Sequence, residues 1–598
     1  MKGTIALAIV PALFSAVRSV HAEPRSTAEP TAGVNPLRNA YFGDLHLHTS
    51  FSFDAYIMGA RTTPEEAYRF ARGESIPYMG HQVRRRWSLD FMAVTDHSEN
   101  MGVAGGITDP NSAFSQSEAG RRVQWGYGIG PKEGEKVFWD IEFEANYKQL
   151  DPKRAASAWQ AEIEAANRNY QPGKFTTFIA YEWSTAIDVQ YHLHRNVIFK
   201  GNTAPLPFSD IDSKKPEDLW TYMEANRRRG IESLAIPHNP NMSNGLMYDW
   251  NDSSGKPIDE VYAQRRVLNE PLTEISQTKG QSETHPTLSP IDEFADYEVW
   301  NMPGAIHGGY VREAYGRGLE ITQKAGANPF KFGVVGDTDI HTGLSLSDAE
   351  PYGDMMMEAY ASIGYPYYTE ATGNVTGVWA EQNTRESIYA ALRRKETYAT
   401  SGARLKFRFF SGWQYPQDVF SRPDWIRLAY ARGVPMGGDL PAKSDTAKAP
   451  RFIVWALKDP DGANLDRVQV IKVWLQGGHY AENIFDVAYA GNRLPDPKTG
   501  KLPPVGNTVD LKSATYTNTI GATELKAVWQ DPEFDPKNPA VYYLRVLEIP
   551  TPRWSTLNAV KARLPLPADQ PAIVQGRGWS SPIWYTPPSE DRAKDRIN

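Results

Sequence analysis

His46-Leu47-His48, opened by Asp44 and closed by Thr49, carries two imidazoles two residues apart, and on a strand such side chains point to the same side. Three further clusters follow: Thr95-Asp96-His97, Ile236-Pro237-His238-Asn239 and Asp337-Thr338-Asp339-Ile340-His341, each at the end of an apolar run. Asp339-Ile340-His341 repeats the alternating spacing with a carboxylate. Neutral imidazoles and carboxylates bind borderline divalent cations such as zinc or manganese, and a cation so held makes hydroxide from water near neutral pH. These residue types predict a hydrolase.

With no cysteine in the chain, thiolates and disulfides are excluded, and metal ligation falls to His, Asp and Glu. Glu182 follows the apolar run Phe175 to Tyr181, where a buried carboxylate needs a partner. An arginine would satisfy it, and so would two cations shared between its two oxygens. Asp54, on spacing alone, reads as a loop residue that initiates a turn. His192 and His194 belong to one His-Leu-His string and compete as ligands.

At 598 residues the chain exceeds what one hydrophobic core normally supports, so two domains are expected. A net charge of −7 without a basic stripe argues against a nucleic-acid partner. Lys2, the apolar run Ile5 to Val17 and the small-residue exit Val20-His21-Ala22 have the layout of a cleavable secretory signal over residues 1–22. The run is shorter than the ~20 apolar residues of a spanning helix. A periplasmic or secreted protein with no membrane anchor after cleavage is the expectation, with residues 23–38 as a linker.

From 39 to 404 short apolar runs alternate with helical stretches. Strands are expected at Ala40 to Leu47, Leu89 to Thr95, Phe175 to Tyr181, Asn196 to Phe199, Ser233 to Pro237, Tyr297 to Asn301 and Phe330 to Val335; their continuous hydrophobicity fits a parallel sheet buried on both faces. Helices are expected after Thr63-Pro64-Glu65-Glu66, a capping box, after Asp151-Pro152, and from about Pro216. Strand and helix in alternation suit an α/β barrel with its chemistry at the strand ends. Ser98 to Leu150 and Asn239 to Pro290 are lid candidates. Residues 405–598, rich in Val, Ile, Tyr and Trp between turn clusters, suit an all-β, sandwich-like domain.

Asp44-Leu-His-Leu-His-Thr, Ala93-Val-Thr-Asp-His97, Glu182, His238 and Asp339-Ile-His341, in this order, resemble the motifs of the PHP (polymerase and histidinol phosphatase) superfamily. His194-Arg-Asn-Val-Ile-Phe199, Pro237-His-Asn-Pro-Asn241 and Gly336-Asp-Thr-Asp-Ile-His-Thr-Gly343 look like a branch of large, exported bacterial members with no assigned substrate. The resemblance covers about residues 39 to 404. It implies a distorted (β/α)7 barrel holding two or three divalent ions, zinc, manganese or iron. His46, His48, Glu182 and Asp339 would hold the first, with Glu182 bridging to a second on His194 and His238. Asp54, His97 and His341 would hold the third; some relatives have His at the position of Asp54, and a carboxylate there hardens the site toward manganese or iron.

Asn239, Asn241, Lys279 and Glu283 are expected to face the substrate, because the asparagines follow His238 and Lys279-Gly-Gln-Ser-Glu283 resembles a stretch of the same branch. Arg195 reads as structural. The leading functional expectation is a phosphoesterase acting on a small organic phosphate or phosphodiester. The alternatives are a carboxylic or carbamate ester or amide hydrolase and, in another class, a metal-containing binding protein without catalysis. Oligomeric state is not legible in the sequence.

Overall fold

The computed structural model describes residues 33–142, 148–187, 191–300, 303–347, 369–443 and 447–588. The expected signal, 1–22, and most of the linker lie outside them. Residues Asn35–Asn598 cluster as one compact unit, and no helix among the described residues is long and apolar enough to cross a membrane.

The fold is mixed α/β around a large mixed sheet that, among the described residues, has 13 strands. Asn39–Asp44 pairs in parallel with Phe91–Ala93, and that strand pairs in parallel with Thr176–Trp183. Arg195–Phe199 then runs antiparallel to both Thr176–Trp183 and Ser233–Pro237. On the other side of Asn39–Asp44, Val375–Ala380 and Thr397–Thr400 add in antiparallel order. The sheet is therefore not the all-parallel one expected from the apolar runs. Those runs report burial on both faces, shown by Thr176–Trp183 with every residue buried, but not direction. Among the described residues 184–194 contain no helix, and without such a crossover the chain returns antiparallel.

Leu272–Gln277 and Gly333–Gly336 form a second, parallel pair. Backbone hydrogen bonds sew the strand ends together. His48 N donates to Ile340 O (3.0 Å) and Asp339 N to His46 O (2.8 Å); Thr95 N reaches Leu47 O (2.9 Å), Glu182 N reaches Asp96 O (3.1 Å) and His238 N reaches His194 O (3.3 Å). The clusters that are remote in sequence thus share one rim.

Helices Pro64–Ala71, Pro152–Asn169 and Pro216–Arg227 lie where the sequence places them. Thr63 Oγ1 accepts from Glu66 N while Glu66 reaches back to Thr63 N, the reciprocal capping box. Thr63→Ala is expected to lower stability by about 1 kcal/mol, read from the urea midpoint. The expected lid 98–150 contains helices Ala113–Gln116, Glu118–Ile129 and Pro131–Glu142. Phe114, Val123, Val137 and Phe138 share a core with Phe53 and Ile57, which flank Asp54.

Two expectations are corrected. Tyr297–Trp300 is not a strand, and Asn301 lies outside the described residues. Glu298 adopts φ 41°, which breaks an extended run, and its carboxylate pairs with Arg553. Within 239–290, moreover, lie the helix Glu260–Asn269 and the buried strand Leu272–Gln277.

After residue 405, Lys406–Gly412, Arg451–Leu457 and Glu524–Gln530 form a separate antiparallel sheet. Its Phe407, Phe409, Phe452 and Val454 share a core with Val468, Val470, Tyr542 and Leu544 from the Leu465–Gln476 and Ala540–Glu548 strands. Arg577–Ser580 pairs with Thr397–Thr400, so the main sheet continues across the expected domain boundary.

Candidate metal centre

Glu182 stands near the end of its strand, fully enclosed, and its two oxygens face different partners. Oε1 lies 2.7 Å from His194 Nδ1 and 3.0 Å from His238 Nε2. Oε2 lies 3.3 Å from His46 Nε2 and 3.1 Å from His48 Nε2. Asp339 Oδ1 meets the same two imidazoles at 3.2 and 3.1 Å. Asp54 Oδ2 lies 2.9 Å from His341 Nε2 and 3.1 Å from His97 Nε2. Three groups of side chains result: His46, His48 and Glu182; Glu182, His194 and His238; His48, Asp54, His97 and His341. In each, one ligand atom per residue lies within 4.8 Å of the others.

The two members of the His-Leu-His string are separated by geometry. His194 reaches Glu182, whereas His192 stacks on the His194 ring at 4.3 Å between centroids. Asp54 is brought in by the one-and-a-half-turn helix Phe53–Ile57 rather than serving only a turn.

Outer contacts orient the rings. His46 Nδ1 donates to Glu274 Oε2 at 2.9 Å. His48 Nδ1 donates to Ser52 Oγ (2.8 Å), which in turn donates to Asp96 Oδ1 (2.8 Å). His341 Nδ1 donates to the Asp339 carbonyl at 2.9 Å, and His97 Nδ1 contacts Ser184. In each case the opposite nitrogen is turned into the cluster, the arrangement by which an outer partner fixes a metal-ligating tautomer. Glu274 and Gln277 were not singled out in the sequence because their strand was not recognised.

The donor set fits divalent cations. Burial holds the His46 imidazole down at about 3 and that of His194 at about 4, so both are neutral at physiological pH. With its proton given to Glu274, the His46 Nε2 lone pair faces Glu182 and Asp339 carboxylate oxygens. Acceptors opposed at such distances repel one another unless a proton or a metal cation lies between them. Burial and His97 oppose charge on the His48 imidazole, yet the same Asp339 and Glu182 carboxylates raise it to about 9, which shows how strongly this site favours positive charge. Burial raises the Glu182 carboxyl, but the neighbouring His97 and His238 and the His194 contact outweigh it and keep the group well below its ordinary range. Glu274→Gln removes the carboxylate behind His46 and is expected to weaken metal affinity about 10- to 100-fold, read by competitive titration with a chelating dye.

Around this cluster Asn239 takes a left-handed conformation, φ 50°, directly after His238. Its Oδ1 accepts from Gln277 Nε2 (2.5 Å), which also donates to Asp339 Oδ2 (2.6 Å). Lys279 Nζ pairs with Asp339 Oδ2. Asn241 Nδ2 donates to the Lys279 carbonyl at 3.0 Å, one layer out. Arg195 is structural, bound to Glu270 and the Leu193 carbonyl. Glu283 departs from its expected substrate-facing role. It is buried, and its two oxygens take Arg312, Arg545, Tyr543 and Trp579. A carboxylate so committed has no lone pairs left for substrate.

Comparison with known proteins adds a family and a distant likeness. A solved two-domain protein from Bacteroides vulgatus ATCC 8482, described as containing a predicted PHP-like metal-dependent phosphoesterase, is 11% identical to this chain. The TM-score is 0.30, with 86% of this chain and 94% of that one covered. No curated protein matches. The model of a family described as a protein of unknown function, DUF3604, matches residues 35–587, and the chain belongs to that family.

Proposed function

We propose that this protein is a metal-dependent hydrolase, a phosphoesterase on a small organic phosphate or phosphodiester. The observation that carries the reading is Glu182, whose two oxygens address two separate sets of imidazoles. His46, His48, Glu182 and Asp339 would hold one divalent ion and Glu182, His194 and His238 a second. Asp54, His97 and His341 would hold a third, with zinc, manganese and iron as the candidates. Bound there, such ions supply Lewis acidity, lowering the pKa of water toward neutrality and polarising a phosphoryl or carbonyl oxygen.

The chain's own groups act around that chemistry. Lys279, paired with Asp339 at the rim of the cluster, presents an ammonium to an anionic substrate oxygen, and this cation favours phosphate over a neutral carboxylic ester. Gln277 holds Asn239 by its oxygen, which leaves the Asn239 amide N–H groups to donate to the substrate. In the same reading the strands form a distorted (β/α)7 barrel followed by a sandwich-like domain, and the chain is exported.

Reconstituted with manganese or zinc, the protein is expected to turn over an aryl phosphate or aryl phosphodiester faster than the corresponding aryl acetate. His46→Ala and Asp339→Ala should each abolish that turnover with the fold retained by circular dichroism. Activity surviving both substitutions would refute the assignment, and preference for the acetate would move it to carboxylic esters.

A further inference from the structure

A cavity of about 330 Å³ is lined by Asn241, Met242, Trp300, Ile306, Tyr310 and His285 among others, its Asn241 lying three residues after His238 of the candidate centre. Its walls connect to the ligand cluster through the backbone. The chain leaves His238, turns at Asn239 and enters the 3-10 turn Pro240–Met242, which forms one wall. Lys279 is held to that wall by Asn241. A Cβ on Gly280, the next residue, would meet Trp300 N at 3.1 Å, and one on Gly309 would meet the Pro240 carbonyl at 2.9 Å. Gly280 therefore packs directly behind Trp300 and Gly309 behind the 240–242 wall, and substitution at either glycine would push these segments apart.

The lining is built rather than accidental. Asn244 Oδ1 accepts from Ala305 N at 2.6 Å, and Tyr248 N donates to Gly308 O at 3.0 Å, pinning the 303–310 segment to the 241–248 segment. The His285 and Tyr310 rings lie 5.6 Å apart between centroids at 53°. Among the described lining residues there is no Asp, Glu, Lys or Arg. His285 Nδ1 accepts from the Thr287 backbone N–H (3.1 Å), a bond that needs the lone pair of a neutral ring, and burial lowers the imidazole's pKa. Aromatic and aliphatic walls with two amides for orientation and no charge suit a flat, uncharged organic group.

We propose that this cavity is the subsite for the alcohol portion of the substrate, and that this portion is an uncharged aromatic or alicyclic group. The assignment rests on the hydrolase reading above and narrows it: the substrate would be an ester whose charge is confined to the group attacked. Small polar alcohols such as glycerol would leave the indole and phenol faces uncovered.

Two measurements separate this proposal from the hydrolase reading. The first is calorimetric titration of the full chain, with metal and after chelation, using 2-naphthol as probe. Saturable 1:1 binding is expected under both conditions, weakened about tenfold or more by Trp300→Ala and by Ile306→Asp. The second is the ratio of kcat/KM for 2-naphthyl phosphate to that for methyl phosphate, which should fall by about the same factor in both variants. Absence of saturable naphthol binding, or binding and ratio unmoved by both substitutions, overturns the subsite. Naphthol binding that behaves as described while neither ester is hydrolysed by the metal-loaded protein overturns the hydrolase reading, and with it the role of the cavity as an alcohol subsite.

Discussion

Glu182→Ala is expected to lower turnover at least about a thousandfold, because it removes the one carboxylate that belongs to two of the three side-chain groups. Three of the six imidazoles of the cluster would remain in place, since His46, His48 and His341 are held from behind by Glu274, Ser52 and the Asp339 carbonyl. The loss should therefore appear in kcat and in the number of ions retained, with the circular dichroism spectrum unchanged. Glu182→Gln separates shape from charge. It keeps the outline of the carboxylate but turns one oxygen into an N–H donor, which cannot accept a cation. If the glutamine variant kept both its ions and more than about a tenth of the turnover, the bridging role of Glu182 would be wrong.

The second large effect concerns stability and lies away from the chemistry. Arg545, with its side chain wholly enclosed, donates to Asp292 at 2.7 and 2.8 Å, to Glu283 at 3.2 Å and to Gln469 at 2.8 Å. Arg312 binds the same two carboxylates at 2.6 and 2.8 Å. This network joins the strand Ala540–Glu548 to residues 283–292. Arg545→Ala leaves two buried carboxylates against a single guanidinium, and a broken buried pair of this kind costs about 3–5 kcal/mol. Urea denaturation should show it as a lower midpoint. A change under about 1 kcal/mol, the scale of exposed ion pairs, would mean that water reaches the network.

The same network sets an acid limit. Burial raises the Glu283 carboxyl, but Arg545 and Arg312 outweigh burial and hold it at about 2, against an ordinary value of 4.5. A carboxylate depressed in the folded state stabilises it above the unfolded value and loses that contribution as pH falls through the folded one. The wild-type urea midpoint is thus expected to drop between pH 4.5 and pH 2. The drop should be shallower in the Arg545→Ala variant, which has already lost much of the pairing.

The convergence of His46 with His48 was legible in the sequence because spacing of two on a strand carries direct geometric meaning, while the grouping of the candidate ligands into sets came from the family resemblance. In the structure His46 and His48 do turn to the same side and meet the same Asp339 and Glu182 oxygens. The residues behind them were not legible, and the reason is local. Thr273, Glu274, Ser276 and Gln277 make Leu272–Gln277 polar along most of its length, although every residue of it is buried. A strand whose inner face serves a polar centre lacks the apolar signature used to find strands, so its glutamate and glutamine fall unremarked inside the stretch 239–290 read as a lid candidate. Glu283 shows the converse. The resemblance of Lys279-Gly-Gln-Ser-Glu283 to a stretch of the family branch suggested the substrate, but Glu283 is buried and arginines distant in sequence claim its carboxylate. Strand direction escaped for a similar reason: burial on both faces is the same for parallel and antiparallel neighbours, and the return at Arg195–Phe199 depends on what connects the strands.

The most direct test is anomalous diffraction at the manganese or zinc edge from crystals of the metal-loaded protein. The account predicts at least two ions, one within about 2.0–2.2 Å of a Glu182 oxygen and a His46 or His48 nitrogen. The other should lie at the same range from the second Glu182 oxygen and from His194 or His238. Ions that ignore Glu182, or one ion bound elsewhere with the His46, His48 and His238 rings uncoordinated, would contradict it.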